Sequence, residues 1–524
     1  MRLLSITWVR ELEAYSREAV LGIFGLAGAE QEERDAFLLQ LMGRRILKKR
    51  TAARAGEEDD PLEHFTGNGD YAFSYVGLYC YEGHLVYSLP KYERQYNLTK
   101  PERQAPETQP DDGRMETFAL LMRVIRRYNA SKISEALENE LQEQSSDCYL
   151  AQLVSMVTDY AEHGEYRDDE QRIALNEQGR ILWNRTINCT TPFMQDDEPV
   201  YLDTYTSRLV DAEDHFITRL HRVVVKECCR QLQMFGLVEL LELPMVDAIE
   251  EDAEELGDTE YLLHCVENEL GCQFDSRRRH ILHRLKAYLE GEKQRDDDAP
   301  EDYFFGCTSF HCVWENVCAC TLGMDVKEHY RIKPPEWHLD GPGKATASHL
   351  KPDMVFERNG AVYVLDAKYY LPELKKAEDK NGKARVSGLP GVGDVTKQFL
   401  YRKAIMKSNA LESDAAQTCA KKVYNAFLMP QDTSLESPKP VEHYAHVTMA
   451  LFKDEGRIDT YRLAVTLLYS AYVEGSICMD VASELHEMLY KAQSKKVKIF
   501  NFTPASLPVI AEFSSGQFLL ESPL

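Results

Sequence analysis

Pro352-Asp353-Met354-Val355-Phe356-Glu357-Arg358-Asn359-Gly360-Ala361-Val362-Tyr363-Val364-Leu365-Asp366-Ala367-Lys368 decides the reading of this chain. Two runs rich in β-branched and aromatic residues flank Asn359-Gly360, a dipeptide that tolerates the positive φ angles of a tight primed turn. With a two-residue turn, Arg358 faces Ala361, and counting outward brings Asp353 opposite Asp366. Lys368 follows two residues later on the same face, because side chains alternate along a strand.

Facing carboxylates repel across a ladder. A divalent cation between them converts that cost into a binding site, and hard oxygen ligands suit Mg²⁺, with Mn²⁺ as a substitute. A simple surface hairpin leaves unexplained why acids interrupt an apolar strand such as Ala361-Val362-Tyr363-Val364-Leu365. Pro-Asp, a spacer and Asp-x-Lys together resemble the PD-(D/E)xK nuclease signature, which implies metal-dependent phosphodiester cleavage. On that reading Asp353 and Asp366 are metal ligands, with the backbone carbonyl of Ala367 a third. Lys368 orients or deprotonates the attacking water and stabilises charge on the phosphate. The resemblance further implies a Glu from the helix that opens the domain, as catalytic residue and metal ligand, and Glu315 stands there.

Outward from this stretch, residues 365–407 hold ten Lys or Arg against five acids, inside a chain of 524 residues with net charge −25. DNA contact is therefore expected to be local, where a phosphate backbone would lie. Residues 394–409 predict a helix with Asp394 placed as its cap. Gln398 and Tyr401 lie one turn apart on it, on one face with Arg402. Gln398 is a candidate to steady the attacking water, and Lys397, Tyr401 and Arg402 are candidates for DNA contact. Gly388-Leu-Pro-Gly391-Val-Gly393 reads as a turn cluster, with its glycines in the wrong order for a phosphate loop.

Thirteen cysteines, an odd number, fit a reduced cytoplasmic protein better than a disulfide scaffold. Cys307, Cys312, Cys318 and Cys320, beside His311, lack the paired spacing of a zinc site and read as small apolar helix positions. His215 and His221 read as packed or surface side chains. Neither a secretory signal nor an apolar run of about 18 residues is visible, so no membrane span is expected.

The expected fold class is α/β, a mixed-sheet PD-(D/E)xK core at the C-terminus behind an N-terminal α+β docking region. Four segments are expected: 1–65 helical, 66–245 α+β and partner-docking, 246–302 an acidic linker, and 303–524 the nuclease domain. Within them the periodicity predicts helices over much of 8–50 and at 115–145, 148–162, 203–240, 303–322 and 480–493. It also predicts a hairpin at 71–90, strands at 422–430 and 444–453, and a loop at 97–114.

Leu365-Asp366-Ala367-Lys368-Tyr369-Tyr370, followed by Pro390-Gly391-Val392-Gly393-Asp394-Val395-Thr396-Lys397-Gln398-Phe399-Leu400-Tyr401, resembles the LlaJI-type restriction endonuclease family. These proteins are relatives of McrC, the nuclease subunit of McrBC-type systems. Phe73-Ser-Tyr-Val-Gly77, Leu89-Pro-Lys-Tyr92 and the segment from Trp183-Asn-Arg-Thr186 to Val200-Tyr-Leu-Asp203 are similar too. The resemblance implies antiphage restriction of double-stranded DNA, with the nuclease docked through its N-terminal region onto a hexameric AAA+ GTPase of the McrB kind. The chain contains no Gly-x-x-x-x-Gly-Lys-Ser/Thr, so the motor belongs to another chain. Two other readings stay open: a stand-alone DNA repair nuclease, and a non-catalytic adaptor that activates a partner motor.

Overall fold

The computed structural model describes residues 4–50, 69–96, 113–138, 149–167, 169–195, 198–211, 215–244, 253–294, 302–323, 336–338, 344–346, 352–358, 361–375, 385–412, 422–433 and 439–491. The chain is mixed α/β with several sheets, and it divides into two compact units. One unit combines residues 1–129 with 301–524; the other spans 130–300.

In the first unit a five-stranded sheet runs in the order Met354–Arg358, Ala361–Ala367, Lys422–Pro430, Ile458–Leu463, Val441–Val447. The two inner junctions are parallel and the two outer ones antiparallel. The long helix Val392–Glu412 separates the parallel strands Ala361–Ala367 and Lys422–Pro430 in sequence. Every residue of Ala361–Ala367 is buried, as a strand covered on both faces requires. Val355, Val362, Val364 and Val423 pack against Tyr401 and Ile405 of the long helix, which fixes that helix on the face carrying the even-numbered residues of the strand.

A second sheet of this unit takes the order Ser5–Arg10, His84–Leu89, Val76–Tyr81, Asp302–Cys307. The turn at Glu82-Gly83 has both φ angles positive, 44° and 79°, which closes the hairpin between the two middle strands. Gly77 lies opposite Gly306, and a Cβ at Gly77 would collide with the Phe305 carbonyl. Glycine is therefore required where the strand preceding the helix Phe310–Thr321 joins the N-terminal sheet.

Residues 8–50, expected as helical, instead take in the end of the strand Ser5–Arg10 and the strands Ala14–Tyr15 and Leu47–Lys49 around helices Arg17–Ile23 and Gln31–Gly43. The reason is non-local: Ser5–Arg10 pairs in parallel with His84–Leu89, a partner outside any local window. Likewise 303–322 splits into the strand Asp302–Cys307 and the helix Phe310–Thr321. Most of 97–114 lies outside the described residues.

In the second unit, the expected helix 203–240 is a strand, Tyr205–Asp211, followed by helices Phe216–Met234 and Leu237–Leu240. The segment read as an acidic linker holds helices Thr259–Cys272 and Ser276–Gln294. Their charges are paired, Lys286 with Glu267 at 2.7 Å and Lys293 with Glu260 at 2.9 Å, while Leu262, Val266, Leu282 and Leu285 are buried. His221 is buried and its Nδ1 accepts from the Tyr166 backbone N–H at 2.9 Å, and His215 stacks on the Tyr166 ring.

Candidate active site

The hairpin register runs Arg358 opposite Ala361 through Met354 opposite Leu365. Asp353 stands just ahead of the first paired residue and is a close neighbour of Asp366; the turn residues Asn359 and Gly360 lie outside the described residues. Asp353 Oδ2 accepts from the Ala367 backbone N–H at 3.1 Å, which ties its carboxylate to the neighbouring strand. Asp366 is 2 % exposed, and its Oδ1 is buried with no hydrogen-bond partner among the described residues. Burial first, then the nearby Asp366 charge, push the Asp353 carboxyl up to about 8.

Lys368 supplies the local positive charge. Its Nζ lies 2.7 Å from Asp366 Oδ2 and 3.2 Å from Asp394 Oδ1. Burial works against the ammonium, but Asp366, Asp394 and Asp353 override it and hold Lys368 above the usual lysine range. Its backbone N–H donates to the Leu428 carbonyl at 2.8 Å, and the indole of the buried Trp314 donates to the same oxygen at 3.2 Å. Strand end and opening helix are thereby fastened at one atom. Glu315, next to Trp314, feels this cluster: burial raises its carboxyl, Lys368 opposes, and Asp366 adds to the rise.

The long helix contributes unequally. Gln398 is 1 % exposed and donates from Nε2 to the Val364 carbonyl at 2.9 Å, while its Oε1 has no hydrogen-bond partner among the described residues. Lys397 is half-buried, with its Nζ 5.5 Å from the centre of the Tyr401 ring. Burial opposes the Lys397 charge, but Tyr401 and then Asp366 raise it. Tyr401 is buried in the core and does not present its ring outward. Arg402 is not brought to the carboxylates: its Nε donates to the Val423 carbonyl at 3.0 Å and its NH1 lies 3.5 Å from Glu455. That geometry is structural, because residue 402 follows 401 by 100° around the helix. Much of the basic stretch, including Lys376, Lys380 and Lys383, lies outside the described residues.

Asp394 joins the site, which its sequence position does not signal. Read as a cap, it stands in the first turn of the long helix, with its carboxylate directed to Lys368 and to the Tyr370 hydroxyl. Twenty-odd residues separate it from Lys368, so only folding brings the two together.

Among the described residues no cluster of three or more His, Cys, Asp or Glu side chains is spaced to hold a metal ion. A Mg²⁺ site needs fewer, because one or two carboxylates suffice when water and substrate phosphate complete the shell. The residues fit that requirement: an Asp353 carboxyl whose ionisation burial and Asp366 oppose, and a buried Asp366 oxygen with no hydrogen-bond partner among the described residues, are features a cation would relieve. Cys307 lies on a strand and its thiol is pushed up to about 12 by burial, while Cys318 is buried in the opening helix. No helix among the described residues is long and apolar enough to cross a membrane.

Comparison with known proteins bears on the same stretch. The family model described as "LlaJI restriction endonuclease" matches residues 75–451. The chain is also similar to "Type II restriction enzyme BsuMI component YdjA" of Bacillus subtilis (strain 168), 26% identical over 383 residues that cover 71% of this chain and 75% of that relative.

Proposed function

The chain belongs to the LlaJI restriction endonuclease family, and we propose that it is the Mg²⁺-dependent nuclease subunit of a restriction system, cutting double-stranded DNA through a PD-(D/E)xK centre. The observation that carries this reading is the half-buried Asp353 beside the buried Asp366, with Lys368 at 2.7 Å from Asp366 and an Asp366 oxygen that has no hydrogen-bond partner among the described residues. Asp353, Asp366 and the Ala367 carbonyl would hold the cation, with Glu315 on its coordinated water. When bound, it would lower the pKa of a coordinated water and neutralise charge on the phosphate.

The protein's own side chains do the rest. Lys368, kept charged by its carboxylate neighbours, donates to a non-bridging phosphate oxygen or to the attacking water. Trp314 and the Leu428 carbonyl hold the backbone at Lys368 in place while this happens. Lys397, half-buried and electrostatically linked to Asp366, is the side chain of the long helix best suited to meet the DNA backbone. Gln398 acts through the strand, holding Val364 two residues ahead of Asp366.

Cleavage coupled to an AAA+ GTPase of the McrB kind is part of the same reading. Supporting it, the second unit exposes Trp183, Ile187, Phe193, Met194 and Leu202, of which Leu202 is 74% exposed. Large apolar side chains left in water are candidates for contact with a protein partner. The name of the Bacillus subtilis relative, a restriction enzyme component, accords with a subunit of a larger assembly.

The deciding experiment is Mg²⁺-dependent cleavage of plasmid DNA by wild type and Asp366→Ala, with and without the GTPase and GTP. Cleavage that disappears in the variant and depends on the GTPase establishes the reading. Equal cleavage by both proteins removes the nuclease assignment and leaves an adaptor. Cleavage that ignores the GTPase points to a stand-alone repair nuclease.

A further inference from the structure

We propose that Asp394 is the positioning residue for Lys368, and that Tyr370 fixes Asp394, so that the ammonium is gripped from two sides by a relay running from the strand end to the long helix. This inference rests on the nuclease reading above for its consequence in turnover, though the grip itself can be tested without it.

A lysine ammonium has three donors on a flexible stem. One is aimed at Asp366 at 2.7 Å and a second at Asp394 at 3.2 Å, which leaves the third for a phosphate oxygen or water. Asp366 alone would be a poor anchor, because its carboxylate is also the one that a cation would claim. Asp394 is free of that conflict. Its second oxygen, Oδ2, accepts from the Tyr370 hydroxyl at 3.0 Å, so the carboxylate cannot rotate away from Lys368 without losing a bond.

Tyr370 is itself immobilised. It is 5% exposed and packs with Val395, Phe399 and Phe427, two of which belong to the same helix as Asp394. The helix and the segment that follows the strand Ala361–Ala367 therefore approach through one packed contact. The turn before the helix makes this approach feasible. Gly388 adopts a φ of +73°, and a Cβ there would collide with the Leu371 carbonyl, one residue past Tyr370. The glycine-rich turn thus lays the start of the helix directly against the chain that leaves the site. Asp394 also occupies the first helical turn, where the partial positive charge of the helix end favours a carboxylate.

The test uses the full-length chain, with the GTPase where cleavage requires it, as wild type, Asp394→Asn, Asp394→Glu, Tyr370→Phe and Asp366→Asn. Three quantities are measured: single-turnover cleavage of duplex DNA, Mn²⁺ binding by calorimetry, and the rate at which acetic anhydride modifies Lys368, followed by mass spectrometry without metal. Asp394→Asn is expected to lower the cleavage rate by about 10–100-fold, as for other residues that orient a functional group. Its KM for DNA, its Mn²⁺ binding and its melting temperature should stay near wild type, and Asp394→Glu should recover part of the rate. Lys368 should be modified faster in Asp394→Asn and, to a smaller extent, in Tyr370→Phe.

Unchanged modification of Lys368 in both variants overturns the proposal, as does full cleavage by Asp394→Asn. Loss of Mn²⁺ binding by Asp394→Asn to the extent seen in Asp366→Asn would overturn it as well, by making Asp394 a ligand. Cleavage that survives Asp366→Asn would sink the nuclease reading instead, and the modification rates would then decide alone whether Asp394 grips Lys368.

Discussion

Gln398 donates its side-chain N–H to the carbonyl of Val364 at 2.9 Å, joining the long helix to the strand Ala361–Ala367 two residues before Asp366. The bond is fully buried, and it sets how far the helix stands above the carboxylates. Replacing Gln398 with Ala leaves that carbonyl without its side-chain donor and opens a small void. Loss of about 1–3 kcal/mol is expected in urea unfolding, together with reduced cleavage. A stability equal to wild type would show that the bond does not hold the helix.

Gly388→Ala strains a backbone held at φ +73° and drives a methyl group into the Leu371 carbonyl. A cost of about 1–3 kcal/mol follows from the backbone conformation alone. Because the turn delivers Asp394 to Lys368, cleavage should fall further than the stability change accounts for. Kinetics on protein shown to be folded by circular dichroism checks this, and wild-type kinetics would refute it.

Glu93 gives the protein a pH signature away from the carboxylate pair. It is 2% exposed, accepts from Thr433 at 2.9 Å, and burial pushes its carboxyl up to about 7 from an ordinary 4.5. The folded state then binds this proton more tightly than the unfolded chain, so stability declines as pH rises from 4.5 to 7. Glu93→Gln mimics the protonated form. It should melt above wild type at pH 8 and converge with it below pH 4.5. A gap that is independent of pH would exclude Glu93 as the titrating group.

Phe193 is 61% exposed on a short hairpin of the second unit. Phe193→Ser should leave unfolding of the chain within about 0.5 kcal/mol of wild type, as for surface positions generally. Association with the GTPase, measured by light scattering, should weaken. Unaltered association would move the docking surface elsewhere.

How much of this was legible in the chain depends on whether the deciding contact is local. The register of the hairpin from Met354–Leu365 to Arg358–Ala361 followed from strand alternation and one turn dipeptide, and the same seventeen consecutive residues bring Asp353, Asp366 and Lys368 together. The strand Lys422–Pro430 and the helices Tyr149–His163 and Met479–Lys491 were read for the same reason. By contrast, the helical reading of 8–50 takes in the end of the strand Ser5–Arg10, because its partner His84–Leu89 lies far along the chain. Asp394 looked like a helix cap because nothing near it in sequence carries its partner.

The sequence by itself therefore determined the chemistry on offer: two carboxylates, a lysine and the strands that present them, all set by alternation over a short span. Tertiary structure alone decided how that chemistry is held. It buried Asp366, set Lys368 between Asp366 and Asp394, turned Arg402 to Val423 and Glu455, and locked Gln398 against Val364. Each of these depends on the height and rotation of one helix over one strand. Packing of side chains from distant segments fixes those quantities, and no local pattern encodes them.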